Sequence, residues 1–373
     1  MARATAASTQ RHAANASVAA PVRPMVRDFS GGARAQNVAF DARTGYDFLI
    51  SAQIGLADES DLLPEDRAWL LRSRQALGPE LLASLDDCFG EEHTGIFHGL
   101  ASILVADKEI RTAADVVAAV KATGARGIAK VVIRDSLNEG VPDALIERAL
   151  DRDPAAMAEI NPHLSEHFGG EVGPFLVASD KQFLSMRAAL AAWLPLFQEI
   201  EKRVARFAER DVAARRHEQR TLSPDDLIER VTGGLRWVPD NQIRRVILAP
   251  SYFSRPFNYI YQGADWRLFA YPITDAVLEA ADAGMPPPSV VRLYRTLGDP
   301  TRLRTLKLLA DRDWYLTELA TQLELSKPTM KHHLAQMRAA GLVTVTEEGS
   351  LTYYSLRRER LAEAGVELSR FIG

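Results

Sequence analysis

The 373-residue chain is predicted to be mainly α with a small antiparallel β component, an α+β protein in two unequal parts. Three observations predict this class. Leu, Val, Ile and Phe recur at helical spacing through most of residues 36–283. Four β-rich runs cluster near the end of that region. The last quarter then reads helix, short helix, tight turn, helix and a two-stranded hairpin.

Residues 1–35 read as a tail rich in Ala, Arg and Ser, with no acid before Asp28 and almost no large apolar side chain. Such a segment cannot bury a core, so a disordered tail is expected, in preference to an organelle transit peptide of similar composition. Helices are expected at 64–71, 79–88, 113–123, 142–150 and 180–216. The last is striped by Leu184, Leu190, Leu194, Phe197, Val204 and Phe207, with a bend at Pro195. Ser223-Pro224 caps one more helix. Runs 235–238, 245–249, 258–261 and 266–271 read as strands of one small sheet. Residues 36–283 are thus expected to form a mostly helical sensor or effector domain ending in that sheet. Met285-Pro286-Pro287-Pro288 cannot continue a helix and marks a proline-rich linker, 284–288.

Residues 289–373 carry the most specific pattern. Asp299-Pro300 opens a helix whose buried face is expected to hold Leu303, Leu306, Leu308 and Leu309. Residues 316–323 form a second, short amphipathic helix, and 324–326 a tight connection. Ser326 caps a third helix with Pro328 in its first turn; Met330, Leu334 and Met337 repeat on one face, and Gly341 ends it. Runs 342–347 and 351–356 are strands joined by a short turn. Helix, turn, helix, wing is the order of a winged helix-turn-helix. Lys327, Thr329, Lys331, His332 and Gln336 are left off the buried face, all able to donate hydrogen bonds to phosphates or base edges. Ser326, His333 and Arg302 complete the candidate DNA-binding set. His333 either bonds a phosphate or packs at the core edge.

Residues 295–356 resemble the DNA-binding domain of ArsR-type winged-helix repressors, through LGDPTRLRTLKLL, LTELATQLELSKPTMKHHL, MRAAGLV and a wing ending in TYYSL. His333 stands where the family carries the His of a His-Leu pair. The resemblance implies a homodimeric transcriptional regulator, usually a repressor released by an inducer. It also implies dimerisation through flanking helices, here 289–297 and 357–372, the latter with Leu361, Leu368 and Phe371 on one face. The order of elements, helices then RVILAPSYFSRPF then a terminal winged helix, is also similar to long bacterial ArsR-type regulators with an uncharacterised amino-terminal domain. Two departures stand out. Residues 316–323 contain no cysteine and 357–373 no histidine, so both metal sites common in the family lack ligands. The wing tip reads Thr346-Glu347-Glu348-Gly349-Ser350, whose carboxylates would be repelled by phosphate, leaving weak contact or contact through the Thr and Ser hydroxyls.

The net charge of −4 hides an uneven distribution. From Ser289 on, 13 Lys and Arg stand against 10 acids, a net +3 that leaves −7 for the rest. A mildly basic module on an acidic body suits specific binding more than nonspecific coating of nucleic acid. Cys88 is the one cysteine, which excludes an internal disulfide and any cysteine-rich metal site. No apolar run of about 18 residues exists, so no membrane helix is expected. No G-x-S-x-G, P-loop, dinucleotide or H-E-x-x-H motif is present, and a non-enzyme is expected.

Three features of the large domain bear on its chemistry. His163 and His167 are four apart with Glu166 between, a spacing able to hold a metal; a structural or surface role is preferred and no metal is assigned. Glu91, Glu92, His93 and His98 read as loop residues rather than a formed site. Residues 252–271 hold eight of the chain's 28 aromatics. They form either sheet core or the aromatic wall of a ligand pocket built from Tyr252, Phe253, Phe257, Tyr259, Tyr261 and Trp266, with Arg255 or Arg267 as polar anchor. The expected whole is a cytoplasmic, nucleoid-associated bacterial repressor without a cofactor. Its expected partners are a palindromic operator in double-stranded DNA, a second copy of itself and an unknown small-molecule inducer bound in the large domain. An enzyme or ligand-binding protein whose winged helix serves dimerisation or protein contact is the alternative.

Overall fold

A computed structural model describes residues 37–373 except 55–61, 90–93, 138–140, 165–167, 169, 238–242, 256, 264, 280–285 and 349–350. The described residues open with a short strand, β1 (Val38–Phe40), and nine helices follow: α1 (Thr44–Gln53), α2 (Pro64–Phe89), α3 (Thr94–Ala106), α4 (Ala113–Asp135), α5 (Asp143–Leu150), α6 (Pro154–Ile160), α7 (Val172–Ala214), α8 (Arg216–Thr221) and α9 (Pro224–Val231). Then come β2 (Leu235–Trp237), β3 (Arg245–Ser251), β4 (Tyr259–Gln262), β5 (Trp266–Pro272) and α10 (Asp275–Glu279). The carboxy-terminal part is α11 (Pro288–Leu297), α12 (Pro300–Asp311), β6 (Trp314–Tyr315), α13 (Leu316–Gln322), α14 (Lys327–Ala339), β7 (Val343–Glu348), β8 (Leu351–Leu356) and α15 (Arg358–Ile372). The mainly α, α+β class therefore stands.

The large core is built around α7, whose Met186, Leu190, Trp193, Phe197 and Val204 are fully buried. Leu184, expected in that stripe, is instead 59% exposed, and Phe183 takes the inward position. α1 lies across α7 with every residue from Thr44 to Ala52 buried. A helix enclosed on all sides has no polar face, and so no periodicity to betray it. α2 joins the two helices expected at 64–71 and 79–88, with Gly78 at φ 75° marking the kink before Pro79. A non-proline residue before proline is pushed out of the helical region, and glycine takes the left-handed alternative at least cost.

Among the described residues, two four-stranded sheets form. The first has order β1-β3-β5-β4, with β1/β3 and β3/β5 parallel and only β4/β5 antiparallel. It is therefore mixed, not antiparallel as expected, because β1 enters from the far end of the sequence and a whole helical domain separates it from β3. The second has order β2-β7-β8-β6. Leu235–Trp237, expected to belong to the amino-terminal sheet, instead pairs in parallel with Val345–Glu347 of the wing. Gly234, at φ 107°, allows the approach: a Cβ there would meet the Thr344 methyl at 3.2 Å. Leu227, Ile228, Val231, Leu235 and Trp237 share one apolar cluster with Met330, Leu334, Met337, Val343 and Val345, and with Val246, Leu248, Phe269 and Tyr271 of the first sheet.

Candidate nucleic-acid interface

α13 ends in a turn whose Leu325 amide donates to the Ala320 carbonyl at 2.9 Å. Glu324 in that turn takes the left-handed conformation, φ 58°, which redirects the chain into α14. The Ser326 hydroxyl accepts the Thr329 amide at 3.2 Å and bonds the Thr329 hydroxyl at 2.7 Å. Pro328 occupies the first turn. Met330, Leu334 and Met337 are 0% exposed, so α14 is held by one face. Gly341, at φ 72°, donates to Arg338 O, and Leu342 N reaches Met337 O, closing the helix end.

That burial turns the candidate residues outward. Ser326, Lys327, Thr329, Lys331 and His332 are exposed, and Gln336 is half-buried behind them. Arg302 and His333 are half-buried at the crossing of α12 and α14, where Arg302 Nε donates to His333 Nδ1 at 3.4 Å. Asp299 caps α12 by accepting the Arg302 amide at 2.9 Å. Burial first, and then the charges of Arg302 and His332, hold His333 below the ordinary histidine range against the pull of Asp299. His333 thus has its Nδ1 engaged within the module. Leu303, expected in the core of α12, is 50% exposed; Leu306 and Leu309 carry the buried face, and Thr305 is buried beside them.

The wing is an antiparallel hairpin, Val343↔Leu356 through Glu348↔Leu351, with β6 on the outer edge of β8 and the Tyr315 and Tyr353 hydroxyls bonded to each other. Thr346 is 2% exposed, because β2 covers its strand, so its hydroxyl is not presented to a ligand as expected for the wing tip. Gly349 and Ser350 lie outside the described residues.

In the large domain, Tyr252, Phe253, Tyr261 and Trp266 are buried, while Phe257 and Tyr259 are half-buried. Tyr252 stacks on Phe207 at 5.4 Å between centroids, and Phe253 lies against Trp69. The Tyr252 hydroxyl donates to Asp66 at 2.8 Å, and Arg203 pairs with the same carboxylate. Arg255 is buried beneath this segment, its Nε donating to Tyr252 O at 3.2 Å. Asp47 is enclosed nearby and accepts from Ser251 Oγ, Tyr252 N and Phe253 N. Burial pushes its carboxyl up to about 6 even against those hydrogen bonds.

His163 is exposed at the end of α6; His167, Glu166, Glu91, Glu92 and His93 lie outside the described residues. Among the described residues no three metal-ligating side chains come together, and no helix is long and apolar enough to cross a membrane. The sequence reading did not single out Arg215, Arg230, Arg292 and Arg338, which meet Arg255 around one cavity. They come from four helices, and nothing in the linear spacing links them.

Residues 299–345 match the family described as bacterial regulatory protein, arsR family. The chain is 36% identical over 78 residues to the HTH-type transcriptional regulator KmtR of Mycobacterium tuberculosis, 21% of this chain and 60% of that protein. It is 39% identical over 84 residues to the HTH-type transcriptional regulator CmtR of the same organism, 22% of this chain and 71% of that protein. Transcriptional repressor SdpR of Bacillus subtilis is 31% identical over 72 residues, 19% of this chain and 80% of its own. With a capped, one-face-buried α14, a paired wing and these matches, the chain belongs to the arsR family of bacterial regulatory proteins.

Proposed function

We propose that the chain is a homodimeric, sequence-specific DNA-binding repressor of the cytoplasm, released when an organic small molecule binds its large domain. One observation carries the DNA-binding part: the apolar stripe of α14 is wholly buried, which leaves Lys327, Thr329, Lys331 and His332 on an open face. Lysine suits phosphate, and hydroxyl and amide groups suit base edges. The net +3 of the module supports the same reading. Homodimerisation is supported by large apolar side chains left exposed on the two flanking helices, Val291 and Tyr294 on α11 and Leu361, Val366 and Phe371 on α15. Repression is supported by the name of SdpR.

Two α14 helices then enter successive major grooves about 34 Å apart. Footprinting is expected to show two related half-sites, and light scattering at micromolar protein a dimer. A single half-site with a monomer overturns the reading. Arsenite, cadmium and zinc are expected not to dissociate a preformed complex, since soft metals need several thiolates and the chain has one cysteine. Release by zinc that disappears in His163→Ala/His167→Ala would make the histidine pair the sensor instead.

A further inference from the structure

A cavity of about 220 Å³ lies where the large domain meets the winged helix. Its volume is that of about seven water molecules, enough for a small metabolite rather than a macromolecular segment. Five arginines line it: Arg215 at the end of α7, Arg230 on α9, Arg255 after β3, Arg292 on α11 and Arg338 near the end of α14. Among the described residues, Asp275 is the one carboxylate in the lining. Some of this charge is balanced locally. Arg215 is held by Asp211 at 2.9 Å and Glu218 at 3.2 Å. Arg292 lies 3.8 Å from Asp275 and donates to the Ala339 carbonyl at 3.4 Å, at a helix end whose dipole also favours a cation.

Arg255 differs. Its side chain is 1% exposed, its guanidinium lies over the Tyr252 ring, and among the described residues neither terminal nitrogen has a hydrogen-bond partner. The nearest carboxylate, Asp66, is 3.8 Å away and already serves Arg203 and the Tyr252 hydroxyl. Buried donors left without acceptors cost free energy and are rare. A guanidinium presents paired donors in a plane that matches carboxylate or phosphate oxygens.

We propose that this cavity is the effector site and that its ligand is a small polyanion, a molecule bearing at least two phosphate or carboxylate groups. This rests on the ligand-controlled regulator proposed above and names the chemistry of that ligand. The walls come from both halves of the molecule, so an anion bridging Arg255 and Arg230 to Arg338 ties the large domain to the carboxy-terminal end of the DNA-reading helix. Anion and DNA then change each other's affinity by the same factor.

The full-length chain is titrated calorimetrically with pyrophosphate and, separately, citrate at constant ionic strength, with potassium chloride as control. Binding is expected for at least one probe, and which one binds separates phosphate from carboxylate recognition. Arg230→Gln, at an exposed position, is expected to weaken it about tenfold, the loss of one charge-assisted hydrogen bond. Arg255→Gln is expected to abolish it. Neither probe exceeding chloride, or both variants binding like the parent, overturns the site. Fluorescence anisotropy on an operator duplex then reads the coupling. The probe is expected to shift DNA affinity in the parent and not in Arg230→Gln. DNA binding that ignores a bound anion overturns the effector role. Absence of DNA binding altogether overturns the regulator reading and leaves the calorimetric result standing.

Discussion

Lys331 and Asp47 are charged groups in opposite surroundings, one exposed and one buried. Lys331 is exposed on α14 one residue past a fully buried methionine. Lys331→Ala is expected to weaken binding to all duplexes alike and to lower the salt slope by about one unit, measured by titration from low to moderate salt. Gln336→Ala is expected to relax sequence preference instead, read by competition between the operator and single-base variants. Asp47 is fully enclosed, and its carboxyl at about 6 lies above the unfolded value of 3.8. The folded chain therefore holds this proton more tightly, and stability from this group is greatest below about pH 4, falls as pH rises to about 6 and then levels, by about 3 kcal/mol in all. Denaturant unfolding at pH 4 to 7 is expected to show a downward slope that Asp47→Asn flattens. At this scale the faces of α14 were legible, because 3.6-residue periodicity alone turns Lys331 outward when Met330, Leu334 and Met337 turn in. The burial of Thr346 was not, since it depends on β2, a strand distant in sequence, and Leu184 and Leu303 fall outside the buried stripes of their helices.

Among the elements, β2 is one whose place the linear pattern concealed. A three-residue run has no periodicity to assign a partner, and its partner β7 lies about 110 residues later. Leu235, 0% exposed, anchors it. Leu235→Ala is expected to cost about 2–5 kcal/mol in denaturant unfolding, the price of a cavity in a core it shares with Val343 and Val345. A fragment beginning at residue 289 lacks β2 and leaves β7 as an open edge, so it is expected to aggregate or unfold where the full-length dimer stays folded. On α15, Phe371→Asp is expected to shift light scattering toward monomer and to weaken operator binding in parallel, since its exposed ring belongs to the proposed dimer seam. Caps were more readable than pairings. Ser223, Asp299 and Ser326 each accept an amide of the first turn, as their positions before Pro224, Pro300 and a Lys-Pro step suggested.

For the molecule as a whole, composition and the proline run suggested a boundary near 284–288, but the apolar core that spans it was not legible. One apolar cluster joins Leu248, Phe269 and Tyr271 to Leu293, Leu306 and Leu334. Far-ultraviolet and near-ultraviolet melting curves are therefore expected to coincide in a single transition rather than resolve two. The pairing of β1 with β3 bears on synthesis as well as on shape. Val38–Phe40 leaves the ribosome about 200 residues before its partner Val246–Leu248 exists. At about 5–20 residues per second, the strand waits on the order of ten to forty seconds. During that interval the helices between them can collapse on one another, while the first sheet, the cavity beside it and the docking of the DNA-reading module all belong to the last moments of translation or after it.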